Sequence, residues 1–462
     1  MTPSTIIVGG GIAGLAVAYE LHRLGVSFRL LERAPRPGGV ILSEEIDGYT
    51  IDGGPDALLI QKPDAIRLCE ELGLGSRLVP TKPPRTAYIQ RDGRLHQLPP
   101  GSMLGFPTAF WPLFTTRLFS WPGKARMAAE VLVPPRRDDR DESIGDFVTR
   151  RFGREATTYL AEPLLAGIHA GDVDKLSVRA LFPRLAETEK QYGSLIRAFR
   201  HAPAGGSRNS EGAFRSLPGG LSEMVDALVA ALPSGAVALG QTVSRIEALT
   251  GGGWRIEANG QSLDSRAMVL ATPAFVTGRL MRSIDAELSR LCGEIPYAST
   301  GTVAMGFVRS AVTHPLDGSG FVVPKTEGTG ILAASWLSSK WPDRAPSDRV
   351  LMRTFVGGAR DPHALDADDA ALVERSLAAL TPLLGLTGRP AFTRVYRWER
   401  ANAQHEVGHL DRVKAIERSL AAHPGLFLTG SGFRGVGIPD CVADGRRTAG
   451  TINEWLKSSA AR

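Results

Sequence analysis

The stretch Ser4–Glu32 reads STIIVGGGIAGLAVAYELHRLGVSFRLLE, and it decides the fold. Its pattern predicts a buried strand, a glycine turn, a helix and a second strand, in the order Ser4–Val8, Gly9–Gly14, Leu15–Leu24 and Phe28–Leu31. These elements form a complete βαβ unit. Such a unit is typical of a Rossmann-like, dinucleotide-binding domain in an α/β protein.

The glycines of this unit follow the spacing Gly9-x-Gly11-x-x-Gly14. The first glycine allows a sharp turn, the second lets a pyrophosphate approach the backbone, and the third lets the helix pack closely on the strand. A pyrophosphate would then lie at the positive end of the helix. Glu32 follows Gly14 by 18 residues, where a carboxylate can accept hydrogen bonds from ribose hydroxyls.

The segments that follow favour FAD over NAD. Leu31–Arg33 leads into the basic turn Arg36–Gly39, and Tyr49–Pro55 adds a strand and another glycine turn. An NAD domain normally continues with a second crossover helix, whereas a flavin domain places glycine loops around a longer, buried cofactor. Two unrelated surface turns are the alternative interpretation.

The middle of the chain has a different pattern. Residues Gly123–Arg200 are helical in pattern, and Gly205–Gly212 is predicted to be a flexible loop. A second, mixed sheet is predicted from four alternating segments, Thr302–Phe307, Gly320–Val323, Ile331–Ser335 and Val350–Val356.

The C-terminal region repeats the strand–turn–helix order, with a strand over Gly425–Thr429, a glycine-rich turn over Gly430–Gly437 and a helix over Asp440–Leu456. A positive helix end beside the pyrimidine side of a flavin stabilises the negative charge of the reduced ring. A plain helix capped by Asp440 is the alternative, and the two interpretations are compatible.

Composition excludes several classes of protein. The 462 residues are 43% hydrophobic and 22% charged, so wholesale disorder is excluded and two or three domains are expected. The net charge of +6 comes from scattered lysines and arginines, which favours an acidic substrate or an anionic membrane surface over nucleic acid.

The cysteines indicate a reducing compartment. Cys69, Cys292 and Cys441 are far apart and lack metal-ligand spacing, so neither a disulfide framework nor a metal site is expected. No signal peptide and no membrane-spanning segment are expected. The sequence therefore predicts a soluble or peripheral, cytoplasmic protein.

Two segments allow rival interpretations. His405–His409 spells the zinc-protease pattern HExxH, but Gly408 weakens the required helix, and the extended motif is missing. The aromatic stretch Gly105–Gly123 is predicted either as an interfacial patch or channel mouth, or as a segment packed into a helical domain.

Further motifs keep their order along the chain, and with the N-terminal unit they resemble the superfamily of FAD-dependent amine oxidases and phytoene desaturases. They are GPDAL at Gly54–Leu58, EPLLAGIHAGD at Glu162–Asp172, KLS at Lys175–Ser177, LPGGL at Leu217–Leu221, WP at Trp341–Pro342, VGGA at Val356–Ala359 and GVGIPDC at Gly435–Cys441. The narrower resemblance is to oxygen-dependent porphyrinogen oxidases of haem synthesis, in the branch from Gram-positive bacteria.

The resemblance implies a discontinuous FAD-binding domain, a substrate domain on a mixed sheet and a helical domain. The FAD-binding domain is expected over residues 1–75, 206–290 and 396–462, the substrate domain over 76–105 and 291–395, and the helical domain over 106–205.

The resemblance also assigns candidate residues. Those expected around FAD are Gly9, Gly10, Gly11, Ile12, Ala13, Gly14, Glu32, Arg33, Gly38, Gly39, Val40, Gly54, Pro55, Asp56, Ala57, Val243, Trp398, Val436, Gly437 and Ile438. His169 stands where the family usually has an aromatic residue. It is a tentative substrate residue, or else a structural histidine. Trp341 could stack on a pyrrole or belong to the core.

The implied reaction is the oxidation of a porphyrinogen by oxygen, with release of hydrogen peroxide and without an assigned protein base. Coproporphyrinogen III is the expected substrate, and protoporphyrinogen IX is the alternative. More distant alternatives for the function are another flavin oxidase or desaturase and a non-catalytic tetrapyrrole carrier. Ferrochelatase and the inner face of the membrane are expected as further partners.

Overall fold

The computed structural model describes residues 3–98, 102–103, 106–107, 114–201 and 211–460. Its central element is a parallel sheet of five strands within these ranges. In spatial order the strands are Val237–Ala238, Phe28–Leu31, Thr5–Val8, Ala267–Leu270 and Leu426–Leu428. Three separated parts of the chain therefore contribute to one sheet, as a discontinuous Rossmann-like domain requires.

Both faces of this sheet are covered. Ile7 packs into one apolar cluster with the helix Ile12–Arg23 and the C-terminal helix Ile438–Ala460, whereas Ile6 and Val8 pack into a second cluster on the other face. Successive side chains of a strand alternate between the two faces of a sheet. Because both faces are covered here, every residue of Thr5–Val8 is buried.

A second sheet of seven strands forms in the described ranges, and it is mixed, because one of its pairings is parallel. In spatial order its strands are Phe392–Ala403, Tyr297–Val308, Arg349–Gly357, Ala333–Trp336, Gly320–Val322, Ala87–Arg91 and Arg94–Gln97. The predicted mixed sheet is confirmed.

Smaller sheets complete the β-structure. A three-stranded antiparallel sheet contains Val243–Ala248, Trp254–Ala258 and Gln261–Ser265. The others pair Leu58–Leu59 and Val79–Pro80 with Phe214–Ser216, Ser43–Ile46 with Tyr49–Asp52, and Ser102–Met103 with Phe106–Pro107.

The remaining helices fall into two groups. Those between residues 121 and 201 are Trp121–Ala128, Ile144–Phe152, Arg154–Ala156, Glu162–His169, Val178–Leu181, Pro183–Tyr192 and Leu195–His201. Those elsewhere are Asp64–Glu71, Ser222–Ala230, Ala274–Met281, Ala286–Gly293, Leu337–Lys340, Asp369–Leu384 and His409–Leu420. The predicted fold class is confirmed, while the six domain segments stay predictions.

Some predicted boundaries are wrong. The first helix begins at Ile12 rather than Leu15, because a helix can start inside the glycine turn. The C-terminal helix begins at Ile438, so Asp440 lies in its first turn and is not its N-cap. Most of the predicted loop Gly205–Gly212 lies outside the described residues.

The aromatic stretch contains both buried and exposed residues. Leu118 and Phe119 are buried in the core of the helical region, whereas Phe114 and Trp121 are 40% and 69% exposed. The rings of Phe110 and Trp111 lie outside the described residues. Among the described helices, none is long and apolar enough to cross a membrane.

Candidate functional site

The glycine turn has the geometry that a bound pyrophosphate requires. A Cβ atom on Gly14 would lie 2.0 Å from the carbonyl oxygen of Gly9, so this position accepts no side chain. A Cβ on Gly11 would meet no described atom within 4 Å, so open space lies next to that backbone. Gly11 is also the N-cap of the first helix, and no described side chain caps the free N–H groups. The positive helix end therefore faces space that suits an anion.

Glu32 closes this turn. Its Oε2 accepts a hydrogen bond from the Gly10 amide at 2.5 Å, and its Oε1 accepts one from the Ala34 amide at 2.7 Å. These bonds hold the carboxylate at the end of the second strand, beside the fingerprint. A carboxylate oxygen has a further lone pair, so Glu32 can also accept from a hydroxyl. Arg33, which follows, is exposed.

The turn Arg36–Gly39 is held by its own arginine. The Arg36 guanidinium donates to the carbonyl oxygens of Pro37, Gly39 and Ile41 at 2.7–3.1 Å. The guanidinium also lies 6.0 Å from the ring centre of Trp398. Burial lowers the pKa of Arg36, and nearby Glu32 and Glu44 oppose that shift.

The next glycine loop packs directly on this turn. A Cβ on Gly54 would lie 1.9 Å from the Val40 carbonyl oxygen, and the Trp398 indole donates to the Gly53 carbonyl at 2.8 Å. Val40 is 40% exposed, which is unusual for valine beside two tightly packed glycine loops. The structure thus brings together Gly38, Gly39, Val40, Gly54 and Trp398. The exposed Val40 side chain among them offers a contact for the apolar face of a ligand.

Asp56 is the centre of a buried charge cluster. Its carboxylate accepts hydrogen bonds from Lys340 at 2.6 Å, from the Trp341 indole at 2.8 Å and from Arg353 at 2.8 Å. Burial alone would raise the pKa of Asp56, but Lys340 and Arg353 hold it well below its usual range. Arg353 also donates to the Gly54 carbonyl at 2.7 Å, so the cluster fixes the Gly54–Ala57 loop.

Two predicted residues have structural contacts in this cluster. The Asp56 carboxylate faces Lys340 and Arg353, so contact with a cofactor would have to come from its backbone. Trp341 is fully buried, in a cluster with Tyr49 and Tyr396, which matches the core interpretation rather than stacking on a pyrrole. The substrate role of Trp341 stays a prediction without structural support.

His169 lies at the end of the helix Glu162–His169 and near the start of the C-terminal helix. Its ring keeps partial solvent access, although protein surrounds most of it. Burial and the nearby Lys62 ammonium lower the pKa of His169 to about 4, against the opposing effect of Asp440. Lys62 and Asp440 form an ion pair at 2.7 Å. His169 is therefore neutral near pH 7.

The predicted flavin-edge residues follow the strand Leu426–Leu428. Val436 and Gly437 are partly exposed, and Ile438 starts the C-terminal helix. Asp440 accepts from the Gly437 amide at 3.3 Å, which closes the turn before the helix. Val243 lies partly exposed at the start of a separate antiparallel sheet.

The HExxH segment has no zinc-site geometry. The rings of His405 and His409 are stacked, and each Nε2 lies 2.9 Å from a backbone carbonyl oxygen, of Ser431 and Phe433 respectively. Among the described residues, no group of three or more histidine, cysteine, aspartate or glutamate side chains is placed to hold a metal ion.

Sequence reasoning missed three cations at the site, Lys62, Lys340 and Arg353, and it named Arg36 only as part of a basic turn. One signal was available for Arg353: it interrupts the apolar strand segment VLMRTFV, and an arginine in a buried strand needs an anionic partner. The partner itself could not be found from spacing.

The comparisons with known proteins point to a flavin-dependent family. The family model of flavin containing amine oxidoreductases matches residues 12–453. The chain is 35% identical to the coproporphyrinogen III oxidase of Bacillus subtilis, over 98% of both chains. It is 33% identical to the coproporphyrinogen III oxidase of Propionibacterium freudenreichii, over 97% of this chain and 90% of that one.

A solved structure is similar throughout. The crystal structure of a candidate protoporphyrinogen oxidase from Exiguobacterium sp. 255-15 superposes with a TM-score of 0.87 at 31% identity, covering 97% of this chain and 98% of that one. The expected resemblance, the enzyme class and FAD as cofactor are confirmed by these matches. The chain belongs to the family of flavin-containing amine oxidoreductases.

Proposed function

We propose that the protein oxidises coproporphyrinogen III to coproporphyrin III with FAD and oxygen. The observation that carries this proposal is the end-to-end similarity to coproporphyrinogen III oxidases, at 35% and 33% identity. The open space beside Gly11 and the exposed Val40 between two glycine loops support a bound dinucleotide with an apolar ring system.

Bound FAD supplies the redox chemistry, which is acceptance of hydride and transfer of the electron pair to oxygen. A six-electron oxidation needs three such rounds, each consuming one oxygen molecule and releasing one hydrogen peroxide. The role of the protein would be to hold the cofactor and the porphyrinogen. Gly9–Gly14 and Glu32 would bind the adenosine half of the cofactor, and the loops at Gly39, Gly54 and Gly437 would border the flavin.

The surroundings of His169 suit the substrate. A neutral imidazole lies near the Lys62–Asp440 ion pair, and this polar surface offers hydrogen-bonding groups to a substrate that carries carboxylates. The Asp56 cluster fixes the Gly54 loop through the bond from Arg353 to the Gly54 carbonyl. The orientation of a flavin ring beside this loop would therefore depend on the buried ion pairs of Asp56.

The test is porphyrin fluorescence over time in air, with the purified protein given coproporphyrinogen III and protoporphyrinogen IX in parallel. Rates are corrected for spontaneous oxidation, and hydrogen peroxide is measured alongside. We expect much faster turnover of coproporphyrinogen III, with three equivalents of peroxide. Preference for protoporphyrinogen IX would contradict the substrate assignment. Binding without oxygen uptake would indicate a carrier.

We also propose cytoplasmic residence with peripheral contact to the inner face of the membrane, and hand-over of the porphyrin to ferrochelatase. The exposed rings of Trp121 and Phe114, whose centres lie 6.5 Å apart, support the membrane contact, since aromatic residues suit a lipid interface. Co-sedimentation with anionic vesicles, compared between the wild type and Trp121→Ser, tests it. Equal sedimentation would contradict it.

A further inference from the structure

We propose that His405 and His409 form a clamp that positions the loop Ser431–Gly437 against the flavin. They would act as positioning residues, holding the backbone of the loop without touching the substrate. The inference rests on the proposed placement of the flavin beside Val436–Ile438.

The two imidazoles form one rigid unit. Their ring centres are 3.8 Å apart and the planes differ by 10°, so the rings are stacked face to face. Both residues are 1% exposed. Each ring directs its Nε2 to a different carbonyl, His405 to Ser431 and His409 to Phe433, both at 2.9 Å. Because a carbonyl only accepts, both rings must carry the proton on Nε2.

This pairing explains what the HExxH segment does instead of binding zinc. A metal needs two nitrogen lone pairs that converge on one point. Here both Nε2 atoms are donors, and stacked rings direct their nitrogens side by side. Burial and His409 lower the pKa of His405 to about 3, so the ring stays neutral and the stack is free of charge repulsion.

The clamp holds the first half of the loop. Ahead of it, Thr429 donates to Asp444 at 2.6 Å, and behind it Arg434 pairs with Asp444 at 3.2 Å. Between these two anchors, the histidines hold the carbonyls of Ser431 and Phe433. The loop contains no regular structure from Gly430 to Gly437, so these hydrogen bonds set its path toward Val436.

The same segment joins the loop to the helical region. The His405 carbonyl accepts from the Ser177 amide at 2.9 Å, and the Val407 amide donates to the Lys175 carbonyl at 2.8 Å. Gln404 donates to the His169 carbonyl at 3.0 Å. One short segment therefore fixes both the proposed flavin-edge loop and the end of the helix that carries His169, so cofactor and substrate surfaces stay in register.

The test compares variants that keep or remove the donor. His405→Leu and His409→Leu remove the Nε2 donor, whereas His405→Gln and His409→Gln keep an amide donor of similar reach. We expect the leucine variants to bind FAD about tenfold more weakly, which corresponds to the loss of one buried hydrogen bond. Their stabilisation by added FAD should shrink, and the visible absorbance of the bound flavin should shift. The glutamine variants should recover most of the affinity.

The matched control is His423→Leu. His423 is partly buried, less fully than His405 and His409. Its Nε2 lies 2.9 Å from a carboxylate oxygen of Asp285, and its ring packs against Trp254. This variant should lower the melting temperature with and without FAD alike, and it should leave FAD affinity within about twofold of wild type, since no bond to the loop changes.

Leucine variants that bind FAD as tightly as the wild type, with an unchanged flavin spectrum, would overturn the clamp and leave only a structural role. If those variants do not fold, His405→Asn, too short to reach Ser431, is compared with His405→Gln, and equal FAD affinities would overturn the inference. The proposed function fails separately, through a wild-type protein that binds no FAD or oxidises no porphyrinogen.

Discussion

The glycine turn Gly9–Gly14 and the Asp56 cluster both shape the proposed cofactor site, but they are held in opposite ways. The turn depends on backbone contacts within a few residues, such as the approach of Gly14 to the Gly9 carbonyl. Asp56 depends on Lys340, Trp341 and Arg353, which are 284, 285 and 297 residues away. Local sterics leave a pattern in the sequence, whereas charge pairing across the chain does not.

The largest effect is expected from Asp56→Asn. This substitution leaves the Arg353 and Lys340 cations buried beside a neutral amide, so the free energy of unfolding should fall by about 3–5 kcal/mol. Urea unfolding of the wild type and the variant measures the loss.

The control for Asp56 is Asp264→Asn. Asp264 and Arg255 form a bidentate pair at 2.8 Å, but both side chains are more than 40% exposed. Water screens this pair, so its loss should cost less than about 1 kcal/mol. Equal losses at Asp56 and Asp264 would show that burial does not distinguish the two pairs.

A pair of alanine substitutions separates folding from binding within the glycine turn. Gly14→Ala forces a methyl group against the Gly9 carbonyl and should lower the free energy of unfolding by about 1–3 kcal/mol, with or without FAD. Gly11→Ala points into open space, so the melting temperature of the FAD-free protein should stay the same while FAD affinity drops. Calorimetry with and without FAD checks both. Similar FAD-free stabilities of the two variants would contradict the packing argument.

Glu32→Gln tests the closure of the turn. The amide can accept from only one of the Gly10 and Ala34 backbone N–H groups and places its own donors against the other, so stability should fall by about 1–3 kcal/mol. FAD affinity should fall as well. Glu45→Gln, at an exposed position, is the control and should change stability by less than about 0.5 kcal/mol. Thermal unfolding of both variants measures the two losses of stability. Equal losses for Glu32→Gln and Glu45→Gln would contradict the closure of the turn by Glu32.

The final prediction concerns pH. The pKa of His169 is lowered to about 4 in the folded protein, so below the ordinary value near 6.5 the unfolded chain binds a proton that the native state does not. Stability should therefore fall as pH drops from about 6.5 toward 4, by up to about 1.4 kcal/mol per pH unit for this group. His169→Phe should reduce that slope.

Melting temperatures at about pH 7.5, 6 and 5, which run from above that range into it, give the slope for each protein. His22→Phe is the control, because it makes the same replacement at an exposed position of the first helix and leaves the surroundings of His169 intact. Identical slopes for the wild type and His169→Phe would contradict the burial of the imidazole.

Much of the fold followed from the sequence, since strand and helix periods are local properties. The βαβ unit at Ser4–Glu32 and the mixed sheet through Thr302–Phe307 are confirmed for this reason. Helix ends were less predictable: the C-terminal helix begins at Ile438 because the Gly437 turn is closed by Asp440 from within the first turn. The tentative role of Trp341 lost its support because a buried carboxylate 285 residues away accepts its N–H.

By itself, the sequence determined the dinucleotide turn, the flavin class and the family, because these depend on residues close together along the chain and on motifs kept in order. Only the tertiary structure decided which cations surround Asp56, that His169 lies beside Lys62 and Asp440, and that His405 and His409 hold a loop rather than a metal. Such contacts join residues between 24 and 378 positions apart, and their energy depends on burial, which no local pattern records.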